Sequence, residues 1–94
     1  MGRNMGTTKM EVVEAIDLHI SNCNQVLAMV KGRRLMGRGI AGWLRKNDSI
    51  FNNESQLQLM LAAGDYGEAF RVEAIEAIQR SIAFYSSISL AYAA

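Results

Sequence analysis

Two side chains with reactive chemistry stand one helical turn apart. His19 and Cys23, at i and i+4, are the only histidine and the only cysteine of the chain. On a helix that spacing puts both on one face, where they could ligate a metal ion or act as base and thiol. Neither use is complete within the pair. A structural zinc site takes four ligands, so a metal here requires two copies of the chain to share it. A thiolate nucleophile wants positive surroundings, and the charge nearer in sequence is Asp17. The simpler expectation is a capped or partly exposed histidine beside a core cysteine. Gly37, Gly39 and Gly42 form a second chemical pattern, G-x-G-x-x-G, which lets a backbone approach a pyrophosphate when a strand precedes it. No strand is evident and the chain is too short for a paired unit of that kind, so the glycines are expected to let another backbone pack closely or to let a helix bend. With one histidine, no activated nucleophile and no paired carboxylates in an obvious site, the chain is expected not to be an enzyme. No catalytic residue, metal, cofactor or small-molecule substrate is assigned.

The chemistry that remains is electrostatic. Lys31 to Lys46, KGRRLMGRGIAGWLRK, holds six of the ten basic residues, and no carboxylate occurs between Asp17 and Asp48. At 100° per residue Met36, Ile40, Trp43 and Leu44 fall in one arc and Arg34, Arg38 and Arg45 in the opposite one, which describes a basic amphipathic helix. Arg34, Arg38, Arg45, Lys46 and Trp43 are its candidate partner-binding residues. Such a face can meet an acidic protein surface, with Glu73 and Glu76 of the same or a neighbouring subunit as candidates. It can also meet the phosphates of nucleic acid or anionic lipid. Six cations under a net charge of +1 favour the protein partner.

The elements that must position these residues are helical. The chain has 94 residues, 50% hydrophobic and 20% charged, and no proline, which fits one all-α domain spanning 1–94. Residues 1–7 are expected to be a flexible N-terminus. Thr8 with Glu11 has the spacing of a capping box and opens a first helix reaching about Lys31. Val12, Ile16, Ile20, Cys23, Leu27 and Val30 share one face, opposite Glu14, Asp17, Ser21, Asn24 and Gln25. KNDSIFNN breaks the chain after the basic helix, with Ile50 and Phe51 as a hydrophobic plug. Asn53 with Gln56 predicts a second capping box opening a helix over 54–63, which Gly64 ends, and Asp65 with Glu68 predicts a third, opening a last helix from Tyr66. On that helix Phe70, Ala74, Ala77, Ile78, Tyr85, Ile88 and Tyr92 share a face.

Past Arg80 the charge disappears. Ser81 to Ala94 is a fourteen-residue uncharged run, shorter than the ~20 residues of a membrane span. Ile82, Tyr85, Ile88 and Tyr92 are the candidate self-association residues, with Ala83, Ser87 and Ala91 small enough to admit a second helix. No secretory signal is evident near the start, and a cytoplasmic location is the default.

Ala62 to Phe70, AAGDYGEAF, resembles the inter-helix turn of tetratricopeptide repeats, Gly-Asp-Tyr followed by Glu-Ala. The resemblance covers nine residues once and implies an αα-hairpin turn. In length and in its central Trp43 the chain is also similar to the small secreted WXG-type helical dimers, although no glycine stands two positions after Trp43 and no C-terminal Tyr-x-x-x-Asp/Glu follows. The expected architecture is all-α: a small helical bundle or hairpin of three to four helices with long first and last helices. The expected role is a structural or adaptor subunit that self-associates or joins a protein partner. Binding of nucleic acid or an anionic membrane through residues 31–46 is the alternative.

Overall fold

The computed structural model describes residues 8–32 and 37–93. They form four α-helices, α1 (Lys9–Lys31), α2 (Gly37–Asn47), α3 (Ser55–Ala63) and α4 (Glu68–Ala93), with 3-10 turns at Phe51–Asn53 and Gly64–Tyr66. The protein is a small all-α bundle with long first and last helices. α1 and α4 run antiparallel: Val30 meets Arg71, His19 meets Ser81, and Asp17 meets Ser89. α3 packs back along α4 as an αα-hairpin through the Gly64–Tyr66 turn, and α2 packs on α3. No helix among the described residues is long and apolar enough to cross a membrane.

The core lies where all four helices meet. It joins Cys23, Val26 and Val30 of α1, Ile40, Ala41 and Leu44 of α2, Leu57 and Leu61 of α3, and Ala74, Ala77 and Ile78 of α4. Phe51 is the plug expected in the turn between α2 and α3, fully buried, with Ile50 half-buried beside it. Beyond Ile78, α4 contributes no fully buried residue among those whose burial is described. The chain is therefore elongated, 49 × 26 × 19 Å, with a two-helix arm formed by the first turns of α1 and the last turns of α4. α1 is also rotated relative to the expected face. Ile16, His19, Asn22, Cys23, Val26 and Val30 are buried, while Val12, Ile20 and Leu27 are only half-buried. Polar residues at 19 and 22 hide the true centre of that face from a purely apolar pattern.

The helix ends follow the sequence at one place in three. At α1 the Thr8 Oγ1 accepts the Glu11 amide at 3.1 Å and Glu11 Oε1 accepts the Thr8 amide at 2.9 Å, so both halves of the capping box form. Those bonds hold the Glu11 carboxyl below its usual range. The second box is absent: Asn53 turns back to donate to the Ser49 carbonyl at 3.2 Å, and α3 starts after Glu54 without a side-chain cap. The third is absent too. Asp65 sits in the 3-10 turn and accepts the Arg38 amide at 3.0 Å, in the first turn of α2, where amides lack intrahelical partners. α4 instead begins at Glu68, after Gly67 at φ 149°, and Glu68 pairs with Arg71. Phe70, expected on the buried face, is 45% exposed. The basic stretch is not one element across its described part, since α1 ends at Lys31 and α2 starts at Gly37. Residues 1–7 and Arg33, Arg34, Leu35 and Met36 lie outside the described residues.

Gly37 and Gly42, alike in sequence, have opposite surroundings. A Cβ on Gly37 would stand 2.7 Å from the Leu61 carbonyl oxygen and 2.8 Å from the Asp65 carboxyl, whereas nothing lies within 4 Å of one on Gly42. Gly37→Ala is expected to lower stability by about 1–3 kcal/mol through overpacking. Gly42→Ala is expected to raise it by up to about 1 kcal/mol through helix propensity. Urea midpoints of the two variants against the unmodified chain check both signs.

Candidate functional site

The centre of the molecule is a buried polar network. His19, Asn22 and Cys23 project inward from one face of α1, and Asp48 follows the last residue of α2 in the turn that leads to the Phe51 plug. Each Asp48 oxygen lies near His19 Nδ1, at 3.0 and 2.9 Å. Oδ1 also accepts the Phe51 amide at 3.0 Å, and Oδ2 accepts Asn22 Nδ2 at 3.1 Å. Asn22 Nδ2 reaches the Asn47 carbonyl as well, at 3.1 Å. Burial works against ionisation of Asp48. The bonds from His19, the Phe51 amide and Asn22, with the attraction of His19, outweigh it and hold the carboxyl below its usual range.

An ionised carboxylate only accepts hydrogen bonds, so His19 Nδ1 carries the proton that it donates to Asp48. Nε2 lies 2.8 Å from Ser81 Oγ on α4, and whenever the ring is neutral it is the acceptor of that hydroxyl. Cys23 Sγ approaches the same nitrogen at 3.4 Å. Burial, and then the charge of Asp48, push the thiol up to about 12, partly offset by a bond with Ser81, so Cys23 is a neutral thiol and not a nucleophile. The Tyr85 ring stands edge-on to His19 with centroids 4.8 Å apart. Its hydroxyl donates to Glu54 Oε2 at 2.7 Å, and burial followed by that bond raises it to about 12.

His19 is 0% exposed and Asp48 3%. Ser81 is half-buried and lines an open pocket of about 240 Å³ with Gln56, Leu57, Met60, Arg80 and Phe84. The order carboxylate, imidazole, hydroxyl is the one in which an acid orients a base and the base draws a proton from an alcohol. Local patterning does not reveal it, because Asp48 and Ser81 stand 29 and 62 residues from His19 along the chain. His19 was expected to be capped or partly exposed. It is fully buried, because Asp48 and Ser81 bond both of its nitrogens. With those nitrogens committed and Cys23 at 0% exposure, a metal shared between two chains has no open face here.

The other candidate residues are spread over two surfaces. Arg38, Arg45 and Lys46 are exposed on α2, and Trp43 is half-buried against the core. Arg34 lies outside the described residues. Among the described residues no ion pair joins these cations to Glu73 or Glu76, which are exposed on α4. Ile82, Tyr85, Ile88 and Tyr92 are half-buried, on the side of α4 turned inward. Ile82 packs on the core, and the other three line an apolar groove of about 480 Å³ with Val12, Ile16 and Ile50. The outward side carries Ala83, Phe84, Ser87, Leu90 and Ala91, all exposed.

No family model, curated protein or solved structure matches this chain.

Asp48→Asn is expected to cost about 1–3 kcal/mol at pH 7, since a buried network loses an ionic acceptor. The pH dependence has a definite sign. A carboxyl whose folded pKa is depressed stabilises fully above its unfolded value of 3.8, and the contribution is lost as pH falls through the lower folded value. Thermal melts between pH 7 and pH 3 should show a steeper acid loss in the unmodified chain than in Asp48→Asn.

Proposed function

We propose that the protein is a small helical interaction subunit that pairs with a second copy of itself along the outward side of the last turns of α4. The observation that carries this reading is the exposure of Phe84 (58%) and Leu90 (72%) on a stretch that has no charged residue from Ser81 onward. Large apolar side chains lose roughly 1.5–3 kcal/mol each when left in water, and contiguous apolar surface of this kind marks contact sites. Ala83, Ser87 and Ala91 lie exposed between them and let a second backbone come near. An uncharged helix is also self-complementary: two copies laid antiparallel about a two-fold axis bring no like charges together.

A second reading has its own support. Lys31, Arg38, Arg45 and Lys46 are exposed and form no ion pair among the described residues. That leaves them free for an acidic partner protein or for the phosphates of nucleic acid or anionic lipid. Binding of that kind weakens steeply with salt, whereas apolar pairing does not.

Truncation after Arg80 is a poor test of pairing, because it strips Ser81 and Tyr85 from the buried His19. Ala83→Asp combined with Leu90→Asp changes only exposed positions of the outward side that line neither pocket. Light-scattering mass is expected to give a dimer for the unmodified chain and a monomer of unchanged helix content for the double variant. A monomeric unmodified chain at high micromolar concentration would remove the pairing reading. Salt-dependent retention on DNA or anionic vesicles, lost in Arg38→Glu with Arg45→Glu, would put the second reading in its place.

A further inference from the structure

Ser81 differs from His19, Asn22, Cys23 and Asp48 in one respect: it lines a pocket, which Glu54 and Tyr85 also line. We infer that Ser81 is a nucleophile activated by His19 and Asp48, and that the pocket in front of it takes the acyl part of a small uncharged ester. This rests on the network and the pocket, and stands whether or not the chain pairs through α4.

The geometry supplies each part such a step needs. Asp48 holds the proton on His19 Nδ1 through contacts of 2.9 and 3.0 Å, which leaves Nε2 as the acceptor 2.8 Å from Ser81 Oγ. The nucleophile sits on the wall of a pocket of about 240 Å³, where Leu57 and Met60 offer an apolar seat of the size of a short acyl chain. Ser81 lies within α4, so its backbone amide belongs to the helix ladder and cannot serve a developing oxyanion. Side chains must do that. Arg80 and Gln56 line the same pocket and carry N–H donors, and Arg80 reaches across to the Met60 sulfur at 3.9 Å.

The step balances without any further reagent. Ser81 Oγ bonds to the ester carbonyl carbon as its proton passes to His19 Nε2, and the carbonyl π pair moves onto oxygen. Collapse of that intermediate expels the alkoxide, which takes the proton from Nε2 and leaves as an alcohol. Water then repeats the sequence and releases the acid, restoring Ser81. Cys23 competes for the same lone pair at 3.4 Å, but it is buried away from the pocket and stays protonated.

The test is covalent labelling of the full chain with an alkyl fluorophosphonate, in which Ser81 Oγ would displace fluoride from phosphorus. Peptide mass mapping then reads the site, with exposed Ser21 and Ser87 as internal controls. Labelling at Ser81 is expected to exceed that at the controls by about 100-fold or more, the scale of positioned general-base assistance. It is expected to fall by at least about tenfold in Asp48→Asn, which no longer holds the His19 tautomer. p-Nitrophenyl acetate should show the same loss in Ser81→Ala, with folding of each variant checked by circular dichroism. Should a variant unfold, the map of the unmodified chain decides by itself. Labelling of Ser81 no faster than Ser21 or Ser87 overturns the inference, because a bond that merely seats α4 on α1 forms no adduct. A rate that is unchanged in folded Asp48→Asn overturns the role given to His19 and Asp48.

Discussion

A fully buried imidazole must have both ring nitrogens bonded, and meeting that demand for His19 fixes how the helices sit. Leaving either nitrogen bare would cost on the order of 1–3 kcal/mol, a large part of the stability of a chain this size. Nδ1 is met by Asp48, in the turn after α2, and Nε2 by Ser81, on α4. One side chain on α1 thereby sets the position of two other segments. Apolar packing supplies most of the free energy but tolerates sliding, since one ridge of small and branched side chains fits another at several registers. Hydrogen bonds of 2.8 to 3.1 Å do not tolerate it. The Phe51 plug depends on the same carboxylate: Asp48 Oδ1 accepts the Phe51 amide, so the residue that satisfies His19 also starts the turn that brings Phe51 into the core.

Each end of the bundle is organised by a different residue type. Where α2, α3 and the Gly64–Tyr66 turn converge, Gly37 lets the Leu61 carbonyl come close, and Asp65 lies across the gap to cap α2 through Arg38. Side-chain bulk at position 37 would push those elements apart. At the other end only α1 and α4 continue, so one face of each must be covered by something else or stay wet. α1 solves this with charge, carrying Glu11, Glu14 and Asp17 exposed. Past Arg80 α4 carries none, and its outward side there exposes Phe84 and Leu90.

Much of the architecture was legible. All four helices, the capping box at Thr8, the stop at Gly64, the break around Asp48 and the plug at Phe51 follow from local chemistry: periodicity, caps and turn-forming side chains. What failed was any feature whose partner is distant. Asn53 and Asp65 have the spacing of N-caps, yet Asn53 turns back to Ser49 and Asp65 caps a helix that starts 28 residues earlier. Asx and glutamate spacings express a local option that tertiary contacts override. The network was invisible for the same reason, and for another. Apolar periodicity treats His19 and Asn22 as interruptions of the buried face when they are its centre. An inward pair of polar residues at i and i+3, followed much later by an Asp in a turn cluster, was the only trace of it.

Phe84 ties the two ends of this reasoning together. It lies 58% exposed on the outward side of α4, it stacks edge-on against Tyr85 at 4.9 Å, and it rims the pocket that Ser81 lines. Tyr85 in turn touches His19 and donates to Glu54. A second helix laid against Phe84 would press on a ring that reaches the imidazole through Tyr85 and on the lip of the pocket. The proposed pairing and access to Ser81 would therefore act on the same side chain. Such a coupling would need no conformational wire, since Phe84 packs on Tyr85 and Tyr85 on His19. Which sign it takes follows from whether the partner's side chain fills the pocket mouth or holds the Phe84 ring away from it.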